Sequence, residues 1–150
     1  MKPWLLASIS TALLACGSPS ETAVPVENSP VVISEVSSST DQIELYNRSG
    51  AAVDLSAWFI QDEDQAAEKT YAFPAGTSIA AGAFLVFEKG TAHAFGFGKD
   101  DVAYLYDVDG ELADVADWPT NGALESWCRF PDGTGEFGEC KPTFGAGNSR

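Results

Sequence analysis

A chain of 150 residues allows one compact domain of ordinary size and leaves no room for a second. With 45% hydrophobic and 11% aromatic residues its composition is globular, and beyond residue 15 no apolar run approaches the roughly 20 residues that a bilayer span needs. The formal charge of -14 comes from 22 acidic against 8 basic residues, and the lysines and arginines are scattered singly (Arg48, Lys69, Lys89, Lys99, Arg129, Lys141). No basic stripe exists to neutralise phosphates, so nucleic-acid binding is disfavoured, and cations or basic protein surfaces are the charged partners that fit.

Met1 and Lys2 make a short positive start, and residues 4–15 (WLLASISTALLA) have the length and apolarity of a secretory h-region. The run Leu13-Leu14-Ala15-Cys16 resembles the bacterial lipobox, with Leu14 bulkier than the usual residue at that place. The resemblance implies that residues 1–15 are a signal peptide, that cleavage follows Ala15, and that the Cys16 thiol receives a diacylglyceryl group. A further acyl chain such as palmitate on the new amino terminus would make the attachment stable. Loss of Lys2 then leaves 7 basic against 22 acidic groups, a charge of -15. Gly17 follows the cysteine, which in enterobacteria-like systems points to the outer membrane or cell surface. Residues 16–30 contain three prolines and no aromatic residue, the composition of a semi-extended tether.

From residue 31 to 150 short β-branched and aromatic segments alternate with Gly, Pro, Asn and Asp turns. Strands are expected at 31–36, 42–47, 58–61, 70–73, 84–87, 102–107 and 111–118. Ile43 and Leu45 alternate with Gln42, Glu44 and Tyr46, the period of a strand with one wet face. No helical stretch has comparable quality, so a β-sandwich or small barrel is expected. Trp58 and Phe73 read as core, whereas Trp118, Trp127 and Phe137 lie in Gly- and Pro-rich sequence and are candidates for an exposed platform for protein or sugar. Glu35 and Glu44 face either each other or solvent. Cys128 and Cys140 meet an oxidising compartment if the chain is exported, which makes a disulfide the default; the alternative, a two-thiolate metal half-site, has one histidine in the chain to draw on.

Several segments in order resemble the lamin tail domain. Val32-Ile33-Ser34-Glu35-Val36, Gln42-Ile43-Glu44-Leu45-Tyr46-Asn47 and Val53-Asp54-Leu55-Ser56-Ala57-Trp58 are similar to its opening. Phe73-Pro74-Ala75-Gly76-Thr77 with Ile79-Ala80-Ala81-Gly82 resembles its central hairpin segment, and Asp101-Val102-Ala103-Tyr104-Leu105-Tyr106-Asp107 with Asp109-Gly110 its late hairpin. Arg129-Phe130-Pro131-Asp132-Gly133 resembles its closing strand. Pro142-Thr143-Phe144-Gly145-Ala146-Gly147-Asn148 resembles its finish, with Phe144 where proline is usual. The resemblance implies an all-β, immunoglobulin-like sandwich and implies no reaction.

Candidate chemistry is sparse. His93 is the one histidine, it sits in a Gly-rich loop, and no serine has a nucleophile-elbow pattern, so a surface or loop histidine without catalytic role is expected. Asp62-Glu63-Asp64, Asp100-Asp101 and Asp107-Val108-Asp109-Gly110-Glu111 present the oxygens that Ca²⁺ prefers, making Asp62, Asp64, Asp107 and Asp109 the metal candidates. Against this, Asp109-Gly110 is a hairpin-turn dipeptide, the EF-hand spacing is missed, and Asp62 to Asp64 read as a charge-solvated loop. Asn47-Arg48-Ser49 matches the N-glycosylation pattern but Asn47 suits the turn after a strand. The expected function is therefore a non-enzymatic, lipid-anchored envelope protein whose sandwich binds a protein or envelope polymer, with no cofactor. A Ca²⁺-stabilised adhesion or assembly module and a small carboxylate-dependent hydrolase, which would need a defined cleft, are the alternatives.

Overall fold

The computed structural model describes residues 24–149, which hold eleven strands and a 3-10 turn (Ala67–Lys69). In chain order the strands are β1 (Val31–Ser37), β2 (Gln42–Asn47), β3 (Val53–Asp54), β4 (Phe59–Gln61), β5 (Thr70–Ala72), β6 (Ser78–Ile79), β7 (Phe84–Glu88), β8 (Asp101–Tyr106), β9 (Leu112–Trp118), β10 (Trp127–Phe130) and β11 (Glu136–Glu139). A five-stranded antiparallel sheet runs in the order β11-β10-β1-β2-β7 and a four-stranded one in the order β5-β4-β8-β9, while β3 and β6 pair as a short ribbon. The fold is the all-β, immunoglobulin-like sandwich expected. Among the described residues no helix is long and apolar enough to cross a membrane.

Alternation builds the core. Ile43 and Leu45 on β2 and Ile33 and Val36 on β1 are fully buried, as are Ile60 on β4, Leu105 on β8 and Trp118 at the end of β9. Each such side chain contributes about 1.5–3 kcal/mol when removed from water. Trp58 and Phe73 are buried as the sequence predicts. On the outer face of the four-stranded sheet, Phe59 and its register partner Tyr106 stack with centroids 4.8 Å apart and planes 14° from parallel. Their ring faces serve each other, which stabilises the strand pair.

A bulge in β1 shifts the register between Ile33 and Glu35. It aims the Ile33 N–H at Asp114 Oδ2 of β9, 2.7 Å away, and Asp114 also receives the Arg129 guanidinium of β10 at 2.8 and 2.9 Å. This buried pair joins the two large sheets.

The strand bounds shift by a residue from expectation at 58–61, where Trp58 N–H turns back to the Leu55 carbonyl at 3.0 Å. β3, β6 and β11 carry too little apolar alternation to be predicted. The tether needs a correction at its end. Val26 N–H bonds the Leu112 carbonyl at 2.7 Å, and Arg48 donates to the carbonyls of Ser29 and Pro30, so residues 26–30 pack on the sandwich. Cys16 and the signal peptide expected at 1–15 lie outside the described residues.

Candidate functional site

The cluster with the most unusual chemistry lies on the outer face of the five-stranded sheet. Cys128, Glu35, Glu44 and Val86 stand in one cross-strand row over β10, β1, β2 and β7. The C-terminal segment after β11, here the strap, is laid over that row. Its root is the Cys128–Cys140 disulfide, with Cα atoms 6.0 Å apart. Thr143 donates its N–H and its hydroxyl to Glu35 at 3.0 and 2.8 Å, and the Ser126 hydroxyl donates to the same carboxylate. Gly145, whose φ of 87° suits glycine, turns its N–H to Glu44 Oε2 at 2.5 Å. Asn148 closes the far end, its amide nitrogen donating to the carbonyls of Ser34 and Arg129 and its N–H to Asp132 Oδ1 at 3.0 Å.

Glu35 and Glu44 are both without solvent exposure. From the strap Glu44 receives the Gly145 N–H, the Ser34 hydroxyl acts on it from β1, and its Oε1 has no hydrogen-bond partner. Burial pushes the Glu44 carboxyl up to about 7, the Gly145 N–H opposing and the neighbouring Glu35 charge adding to it. The answer to whether the two glutamates face each other or solvent is that they face the same covered row. Sealed under the strap, they offer no acid and base pair that a substrate reaches.

The calcium candidates do not come together. Asp62 is buried rather than solvated, with Oδ2 2.6 Å from Lys69 Nζ and Oδ1 accepting the Asp64 N–H. It holds the Lys69 ammonium above its ordinary range by that hydrogen bond. Asp101 accepts N–H groups from Gly98, Val102 and Glu63, and Asp41 accepts the Phe97 N–H while pairing with Lys89 at 3.3 Å. These groups line an open basin of about 580 Å³ with Asp64 and Asp100 at its rim, and their oxygens already have cation or backbone partners. Asp107 Oδ1 accepts the N–H groups of Asp109 and Glu111, both at 2.9 Å, which ties the β8–β9 turn. Among the described residues no group of three His, Cys, Asp or Glu side chains is arranged to hold a metal ion.

Other expectations are corrected. His93 lies in a loop but is buried, its ring 4.5 Å from Phe95 and 6.0 Å from Phe87 and Phe97. Nδ1 donates to the Phe95 carbonyl at 2.9 Å and burial lowers its pKa, so it serves as a neutral core group. Trp118 is fully buried with its Nε1–H on the Gly98 carbonyl, Trp127 is half-buried, and Phe137 carries the Arg129 guanidinium 4.4 Å above its ring. The three do not form an exposed platform. Asn47 is buried, its amide nitrogen donating to the carbonyls of Ala51 and Ile79, which confirms the turn role and leaves it no freedom as a glycan acceptor. The Asp114–Arg129 pair and the strap contacts were not anticipated; the signal for the first is an aspartate inside the apolar run of β9.

The family model described as Lamin Tail Domain matches residues 25–120, ending after β9 and before the strap. Comparison with curated proteins gives no match.

Proposed function

Since the chain belongs to the lamin tail domain family, we propose that it is a membrane-anchored envelope lipoprotein whose sandwich is a non-catalytic interaction module. The observation that supports this most is how the polar groups are engaged. Glu35, Asp41, Asp62, Asp101 and Asp114 all accept backbone N–H groups or pair with cations inside the fold, so none is free to act on a substrate. Glu63, Asp64 and Asp100 at the basin rim stay exposed and give that end of the sandwich a negative surface, which suits a basic protein partner. The lipobox-like Leu13-Leu14-Ala15-Cys16 supplies the anchor, and tethering raises local concentration at the membrane.

Intact-mass spectrometry of the membrane fraction tests the anchor: the mature chain is expected to start at an acylated Cys16, and another start or an unmodified Cys16 refutes it. Crosslinking in the native envelope, compared with Asp64→Asn/Asp100→Asn, tests the partner. Loss of a crosslinked basic protein in the double variant supports the reading; an unchanged crosslink pattern removes the rim from it.

A further inference from the structure

The strap is fixed by a disulfide at its root and by Asn148 near its end, and its middle rests on a buried carboxyl group to which it gives one N–H. We propose that the strap is a proton-operated latch: with Glu44 protonated, residues 143–148 lie shut on the sheet, and with Glu44 ionised this segment lifts while Cys140 keeps its root attached.

The geometry separates the two carboxyl groups. Glu35 and Glu44 are register partners on adjacent strands and both are fully buried, so two charges there repel in a poorly screened site. Glu35 receives the Thr143 N–H and the Ser126 hydroxyl, and the Thr143 hydroxyl is shared between it and Asn148 Oδ1. Glu44 receives the Gly145 N–H and, with a smaller effect, the Ser34 hydroxyl, and has an oxygen with no partner. Donors favour the charged form where they gather, so of the two carboxyl groups Glu44 is the one that takes the proton.

The surroundings of Glu44 strengthen that assignment. From β1 the groups that act on it are Glu35 and the Ser34 hydroxyl, from the β10–β11 turn Asp132, and from the strap the Gly145 N–H. Its register partner on β7 is Val86, which is apolar. Both charged groups among these are carboxylates that oppose ionisation of Glu44 and add to its burial, while the Gly145 N–H and the Ser34 hydroxyl favour the ionised form without offsetting it. Burial places the transition near neutral pH. The strap is also built to lift: Gly145, Ala146 and Gly147 are exposed and only Phe144, half-buried, brings apolar surface to the sheet. Opening uncovers the Glu35–Glu44 row and frees main-chain groups of the strap.

Amide hydrogen exchange on the full chain between pH 5.5 and 8.5, corrected for the intrinsic pH dependence of exchange, reads the latch at Thr143, Gly145 and Asn148. Wild-type protection of these amides is expected to fall as pH rises toward about 7, by up to tenfold per pH unit, the slope of one proton released on opening, and to level off above it, while β1 and β2 amides hold theirs. Glu44→Gln keeps a neutral group in place and is expected to make the strap's protection independent of pH. Flat protection in the wild type, or an equal slope in Glu44→Gln, overturns the proposal. If the variant does not fold, the ¹³C shift of the wild-type Glu44 carboxyl decides: a midpoint near 7 supports the latch and one near 4.5 overturns it.

Discussion

Arg129→Ala is expected to be the most damaging single surface-to-core change in the sandwich. Arg129 donates two hydrogen bonds to Asp114, at 2.8 and 2.9 Å, and one each to the carbonyls of Ile33 and Gly135 at 3.1 Å. Asp114 is 7% exposed, and burial already pushes its carboxyl up against the pull of Arg129. Removing the guanidinium leaves that charge with the N–H of Ile33 and strands two carbonyls, a loss of about 3–5 kcal/mol. The cation lying over Phe137 adds about 0.5–1 kcal/mol. Part of the penalty is relieved when Asp114 takes up a proton, so the destabilisation is expected to shrink as pH falls. Urea denaturation at pH 7.5 and pH 5, with Arg129→Met/Asp114→Leu as the paired control, measures it. A loss under about 1 kcal/mol for Arg129→Ala, or a paired variant no more stable than the single one, would refute the reasoning.

Three further outcomes follow from the same structure. A group whose acid form is favoured on folding adds stability at low pH, so Glu44 contributes fully below its unfolded value of 4.5 and loses its contribution as pH rises to about 7. The wild type minus Glu44→Gln stability difference is expected to fall by about 3 kcal/mol across that window, read by denaturation at each pH. A flat difference contradicts it; the difference is used because His93, with its lowered pKa, titrates with the opposite sign, losing stability as pH drops below 6.5. Cys140→Ser removes a bridge between residues 12 apart in sequence, and by the chain-entropy model is expected to cost about 3 kcal/mol, with protection lost first at Thr143 and Gly145. Millimolar Ca²⁺ or a chelator is expected to leave Tm unchanged, because the oxygens of Asp62 and Asp101 are already engaged; a rise of several degrees with Ca²⁺ would show that the basin rearranges around the ion.

How much of this was readable from sequence depends on the range of the interaction. Ile43 and Leu45 declare the buried face of β2 within six residues, because alternation is local. Alternation also places Glu35 and Glu44 on the other face, but it does not say what covers that face. The donor that reaches Glu44 is 101 residues further along, and Glu35 is met from 108 residues away. His93 and Trp118 were misjudged for a related reason. The Gly-rich flanks of His93 mark a loop correctly, yet Phe95 and Phe97 fold that loop inward, and Trp118, which ends β9 rather than lying in the following loop, is covered by Phe97. β11, with the sequence EFGE, has no apolar period at all and exists because β10 offers it an edge.

The acidic clusters teach the sharper lesson. A run such as Asp62-Glu63-Asp64 looks like a cation site in sequence because carboxylates are counted and backbone N–H groups are not. In the folded chain each irregular connection has donors that strands cannot use, and short acidic side chains are the nearest acceptors. Asp54 takes the Ser56 N–H, Asp107 those of Asp109 and Glu111, Asp41 that of Phe97, and Asp101 that of Gly98. For Asp54 the hydrogen bonds from the Ser56 hydroxyl and N–H hold the pKa down. Glu44 breaks the pattern: it too meets a backbone N–H, but deep under a segment that adds no second donor, beside another carboxylate. One functional group, the carboxyl, therefore does two jobs in this sandwich. Where the loop is wet the charge closes it, and where the strap is dry the proton does.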